Sequence, residues 1–206
     1  MALIDSSINQ CEFDACYMTD NVNAGQMAAK EMLYLLKEAG NLPSEELEVG
    51  IMLSSDTSQA MINRVSGFLE YWSGHSPAKW EIAQDIYLND GNVEKAQSDA
   101  KKLIDQHENL KGIFGCNNTS TIGIAGELLE ENREDIVLVG FDMADLTVQL
   151  IQNPDYFAET LMQRQDQMGY LGLTALYDFV SGSWYEQKYF DTGVVLIDAD
   201  YLSGRE

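Results

Sequence analysis

The chain has 206 residues, a length that allows one large domain or two small ones. Hydrophobic residues make up 45% of it, which separates it from disordered chains and supports a real core. Against 34 Asp and Glu stand 12 Lys and Arg, a formal net charge of −22, so a nucleic-acid backbone or an anionic membrane is repelled. Solubility is the simplest use of such acidity.

No apolar run is long enough to span a bilayer. The start, Met1-Ala2-Leu3-Ile4-Asp5, lacks the basic region and long apolar stretch of a signal peptide. The three cysteines, Cys11, Cys16 and Cys116, are odd in number and have no metal-ligand spacing. Cys11 and Cys16 are close enough in sequence to pair; free, partly buried thiols are the reading preferred here.

Taken in order, Ala2-Leu3-Ile4 is a short strand ending on Asp5, and Ala15-Cys16-Tyr17-Met18 is a second. Thr19-Asp20-Asn21 offers helix caps, and Val22 to Ala39 follows at helical spacing until Gly40 stops it. Val49 to Leu53 is a buried strand. A polar loop, Ser54 to Ser58, leads into a helix carrying Ala60, Met61, Val65, Phe68, Leu69 and Trp72. Trp80 to Leu88 is strand-like, Asn89-Asp90-Gly91-Asn92 a turn and cap, and Val93 to Gln106 a helix. Gly112 to Cys116 is a strand, Asn117-Asn118-Thr119 a polar corner, and Ile122 to Leu129 a helix.

Ile136 to Phe141 has no polar alternation and reads as a strand buried on both faces, as in a parallel sheet. It stops on Asp142, before an amphipathic pattern through Leu146, Val148, Leu150 and Ile151. Asp142 either caps that next helix or faces the crevice where open α/β sheets bind ligands. Ala158 to Met162 is extended, Met168 to Val180 a strongly apolar helix, and Gly193 to Ile197 a last strand. Strands alternating with helices over short connections predict an α/β fold, a doubly wound, mostly parallel sheet with helices on both faces.

Asp5, Ser54 to Asp56, Asn117, Asp142 and Gln163 fall just past the carboxyl ends of predicted strands, and Arg64 lies in a helix after one of those loops. In a doubly wound sheet such positions converge on one rim. Carboxylates, amides that both donate and accept, and a guanidinium suit a neutral polyhydroxyl ligand. Catalysis fits less well: no nucleophile–base pair, metal cluster, Walker loop or dinucleotide fingerprint is present. His75 and His107 fall in turns and read as solvated, and Cys116 reads as a packed thiol. Trp72, Trp80 and Trp184 read as packing residues rather than ring platforms.

Five motifs in order resemble the type I periplasmic sugar-binding proteins, close to the ribose-binding kind. They are Thr19-Asp20-Asn21 before a Gly-containing helix, Arg64-Val65-Ser66-Gly67-Phe68, Phe114-Gly115-Cys116-Asn117-Asn118, Val139-Gly140-Phe141-Asp142, and Gln163 followed by Asp166-Gln167-Met168-Gly169. The resemblance implies a non-catalytic solute-binding component of a sugar ABC uptake system, working outside the cytoplasm with a membrane permease. It implies a sugar or similar polyol held in an interlobe cleft, with no cofactor and no metal. It implies ligand roles for Asp5 and Asp142 as acceptors, Arg64 as donor, Asn117 as both, and Gln163 near the hinge. The effector-binding domain of a lactose-repressor-type regulator shares this fold and is the alternative; a small enzyme on a doubly wound sheet ranks third.

Two departures bear on ligand identity. Ser6 stands where the family often has Arg, and Gly91 where the ribose-binding kind stacks an aromatic ring. The chain also starts at what resembles the first lobe's last strand. The expected organisation is a first-lobe remnant over residues 1–18, a second lobe over 19–163, a first-lobe-type helix segment over 164–190, and a return strand and tail over 191–206. With most of that lobe missing, Met168, Leu171, Ala175, Leu176 and Phe179 are expected to lie uncovered, which favours a homodimer and weak binding of free sugars.

Overall fold

The computed structural model describes residues 1–7, 12–182 and 188–204. Elements run β1 (Ala2–Ile4), β2 (Ala15–Met18), α1 (Asn21–Glu38), β3 (Leu47–Leu53), α2 (Gln59–His75), β4 (Trp80–Leu88), α3 (Val93–Gln106) and β5 (Leu110–Gly115). They continue through α4 (Asn118–Glu131), β6 (Val137–Phe141), α5 (Asp145–Gln152), β7 (Ala158–Gln163), α6 (Gln165–Val180), β8 (Tyr189–Asp191), β9 (Val194–Ile197) and α7 (Ala199–Ser203). Two compact units form, one from Met1–Asp20 with Gln163–Val195 and one from Asn21–Met162 with Leu196–Glu206.

The larger unit is built on a sheet of strand order β4-β3-β5-β6-β7-β9. The pairings from β4 through β7 are parallel. From β3 the chain steps outward to β4, then returns past β3 to β5 and continues the other way. That reversal makes the carboxyl ends of β3 and β5 the sheet's topological switch point, where open α/β sheets bind ligands. β5 and β6 are almost wholly buried, which explains their continuous apolar sequences. Phe68, Phe114 and Phe141 are fully buried; Phe114 stacks on Phe68 at 4.5 Å and lies 6.1 Å from Phe141. Trp72 and Trp80 extend this aromatic row and are packing residues, 4% and 2% exposed. Helices α1 and α2 cross closely because Gly25 and Gly67 carry no side chain. A Cβ on Gly67 would stand 2.0 Å from the Val22 carbonyl oxygen, and one on Gly25 2.1 Å from that of Arg64.

The smaller unit holds a parallel sheet of order β1-β2-β8. Asp191 Oδ1 accepts from the backbone N–H groups of Asp20 and Gly193, each at 2.8 Å, which fixes the end of β8. Tyr17 stacks on Phe190 at 4.7 Å, and both pack with Ala15, Leu171, Ala175 and Phe179.

The expectation for α6 needs correcting. Its Leu171, Ala175 and Phe179 face is covered by the chain's own β1 and β2, and Met168 is 2% exposed. The uncovered side chains are Tyr170, Leu173, Leu176, Tyr177 and Val180. Apolar residues ring this helix, so periodicity alone could not say which face docks. β8 and α7 were not anticipated; each is too short to show a period. Cys16 and Cys116 are free and buried, while Cys11 and Trp184 lie outside the described residues.

Candidate functional site

Arg64 rises from α2, the helix after β3, and is 3% exposed. Its Nε donates to Asn21 Oδ1 at 2.7 Å, and its Nη1 donates to the Cys116 carbonyl, just past β5, at 2.8 Å. The guanidinium also lies 4.0 Å from the ring centroid of Phe141, the last residue of β6. The side chain therefore runs along the carboxyl edge of the sheet. A cation so dry needs these acceptors and the negative face of the ring.

Asn117 follows β5 and holds the N-cap position of α4 with extended backbone, φ −154° and ψ 168°. Its side chain does not cap: Oδ1 accepts from Ser120 Oγ at 2.6 Å instead. Thr121 Oγ1 accepts from Phe141 N–H at 2.9 Å and donates to the Asn117 carbonyl at 3.0 Å. That hydroxyl ties the start of α4 to the end of β6.

Asp142 sits at φ 62°, in the left-handed region that costs most residues energy and that Asp tolerates better than others. Its N–H donates to the Leu161 carbonyl at 2.9 Å, and its own carbonyl accepts from Thr160 Oγ1 at 2.7 Å. Helix α5 starts at Asp145 with Ala144 as its cap residue, so Asp142 is not the N-cap. Asp142, Asn117 and Arg64 thus come together on one edge, at the switch in strand order.

Asp5 and Gln163 belong to the smaller unit. Asp5, exposed just after β1, is also left-handed at φ 65°, the same strand-end device as Asp142. Gln163 closes β7, is 9% exposed, and accepts from Thr19 Oγ1 at 3.2 Å.

Other groups are poor candidates for chemistry. Burial holds the Cys116 thiol far above its ordinary range despite the nearby Arg64 charge, so it is no nucleophile. His75 stacks on Tyr71 and bonds its carbonyl. His107 is not solvated as expected: its side chain is 12% exposed and Nδ1 lies 3.1 Å from Glu48. Among the described residues, no group of three or more His, Cys, Asp or Glu is placed to hold a metal ion. No helix of the described residues is long and apolar enough to cross a membrane.

Asn21, Asn89, Ser120, Thr121 and Thr160 brace these residues; the sequence offered Asn21 as a helix cap and Asn89 as a turn residue, and none of the five as a brace. Small polar residues at strand ends read as caps and turns; only the three-residue spacing of Asn117 and Ser120 hinted at the link.

A doubly wound α/β fold with Arg64, Asn117 and Asp142 on the carboxyl edge of its sheet suits ligand binding. The chain belongs to the periplasmic binding protein domain family, whose model matches residues 1–183. Among solved structures, it is 26% identical to an ABC transporter solute-binding protein from Agrobacterium vitis with bound D-fucose, at a TM-score of 0.84, over 98% of this chain and 67% of that one. A carbohydrate transporter solute-binding protein from Agrobacterium radiobacter in complex with D-arabinose matches at TM-score 0.88 and 23% identity, over 99% and 68%. A sugar-binding protein of a Bacillus halodurans ABC transporter matches at 0.85 and 24%, over 100% and 71%. No curated protein matches the chain.

Proposed function

We propose that this chain captures a monosaccharide or similar polyol for an ABC uptake system, without catalysis, outside the cytoplasm and in partnership with a membrane permease. The observation that carries the reading is the set of Arg64, Asn117 and Asp142 on one edge at the strand-order switch. Asp142 accepts from a sugar hydroxyl, and Arg64 donates to a hydroxyl or ring oxygen. Asp5 and Gln163 are proposed as ligand residues of the smaller unit on the grounds of their strand-end positions. The sugars of the solved relatives, D-fucose and D-arabinose, give the class of ligand to try.

Calorimetric titration with these sugars tests it. A single-site isotherm is expected, weakened by about 10- to 100-fold in Asp142→Asn, the worth of one hydrogen bond to a charged group. Asn tolerates the left-handed conformation, so this variant keeps the backbone and removes only the carboxylate. Equal affinities for the two proteins would sink the assignment of Asp142.

We also propose that the 206-residue chain self-associates through α6. Its Tyr170, Leu173, Tyr177 and Val180 are 68%, 71%, 73% and 91% exposed and follow the spacing of a helix-pairing seam.

A further inference from the structure

Asn89 follows β4 and is fully buried. Its Oδ1 accepts from the Gly91 N–H at 3.1 Å, and a backbone N–H can only donate, so that atom is the oxygen. The other end of the amide, Nδ2, therefore donates to Ser120 Oγ at 2.7 Å. Ser120, also fully buried, has one proton, which goes to Asn117 Oδ1 at 2.6 Å. Each link fixes the direction of the next. The last orients Asn117: its oxygen faces Ser120, and its Nδ2 is turned away from the relay. Asn117 gives up its helix-capping bond to be held this way, an unusual use of an Asn at that position.

We propose that Asn89 and Ser120 are positioning residues that hold the Asn117 amide with its oxygen on Ser120 and its Nδ2 presented as the donor, so that the ligand group meeting that nitrogen must be a hydrogen-bond acceptor. The orientation of the amide stands on the relay alone; its meaning for the ligand rests on the sugar-binding reading. In that reading the rim divides its labour. The Asp142 carboxylate accepts, Asn117 offers its Nδ2 as the donor, and a ligand group meeting that nitrogen need not carry a proton. A hydroxyl oxygen, a ring oxygen or a fluorine fits there.

Side-chain amide exchange measured by NMR on the 15N-labelled chain at pH 7 tests the relay without any ligand. The Asn89 amide protons should be protected, while those of Asn117 exchange quickly. Asn89→Asp should reverse the polarity. The introduced carboxylate can only accept from Gly91 N–H and Ser120 O–H, two donors that hold it ionised. Ser120 Oγ then accepts from Asn117, whose amide turns over and whose exchange slows by about tenfold or more. A residue that merely filled space would not produce that inversion. Protected Asn117 protons in the unaltered chain overturn the proposal, as does unchanged exchange in Asn89→Asp.

The ligand half is read separately, with D-arabinose and D-fucose and their singly deoxygenated and fluorinated analogues. One position should lose affinity on deoxygenation and recover most of it with fluorine, with the Asn117 amide resonance following. Recovery at no position overturns the donor role. If no sugar moves the Asn117 resonance while the exchange pattern holds, the sugar reading fails and the relay stands.

Discussion

Glu159 lies in the middle of β7, opposite Val139 of β6, and is 7% exposed with Oε2 making no hydrogen bond. Burial, reinforced by the carboxylates of Glu31 and Asp198, pushes its carboxyl from the ordinary 4.5 to about 7. Between those two values the folded chain holds a proton that the unfolded chain has released, so this group favours folding below pH 4.5 and the contribution is lost as pH rises through 7. Asp135 works the other way: the Arg133 guanidinium, with Lys111, holds it well below the usual carboxylate range, and its contribution fades only as acid approaches. Glu159→Gln cancels the first effect and leaves the second. The melting temperature of this variant relative to the unaltered chain should therefore rise from pH 5 to pH 8; a difference that stays flat or falls would contradict the burial argument. At this scale the sequence is uneven as a guide. Asn117 and Asp142 stand out because each ends an unbroken apolar run. Asn89 does not, because Asn-Asp-Gly-Asn reads as a turn, and Asn92 does cap α3 through Lys95 N–H. Nor does Glu159 stand out, because a buried acid looks like a solvated one until its neighbours are known.

The α1 and α2 crossing gives the sharpest test among the elements. Gly67→Ala drives a methyl into the Val22 carbonyl and should destabilise by about 1–3 kcal/mol, the usual toll of overpacking. Gly74→Ala, on the same helix but exposed and with nothing within 4 Å, should stabilise by about 0.5–1 kcal/mol through helix propensity. Chemical denaturation of both variants decides it; equal effects would mean that helix propensity, not close approach, governs both sites. The long buried strands and amphipathic helices were legible because burial writes its period into them: β5, β6 and α3 fall within two residues of their expected bounds. β8 was not, since three residues carry no period and its order comes from pairing with β2. α6 was legible as a helix but not in its orientation.

For the molecule as a whole, two terms oppose each other in solution. A charge of −22 keeps copies apart, and burial of the uncovered stripe on α6 would favour the proposed association. Burying such side chains stabilises by roughly 1.5–3 kcal/mol each, so a dimer at micromolar concentration is expected by light scattering after gel filtration. Leu173→Lys combined with Tyr177→Lys should return it to a monomer; a monodisperse monomer of the unaltered chain would contradict the α6 argument.

The central claim is that the edge bearing Arg64, Asn117 and Asp142 receives a sugar. Its most direct test is a two-dimensional 15N NMR titration of the chain with D-fucose and D-arabinose, a method that also registers weak binding. Saturable shifts concentrated at the Asn117 side-chain amide, the Arg64 Nε–H and the backbone of Asp142, and requiring about 10- to 100-fold more sugar in Asp142→Asn, are the predicted result. Shifts confined to other surfaces, or none up to high sugar concentration, would contradict it.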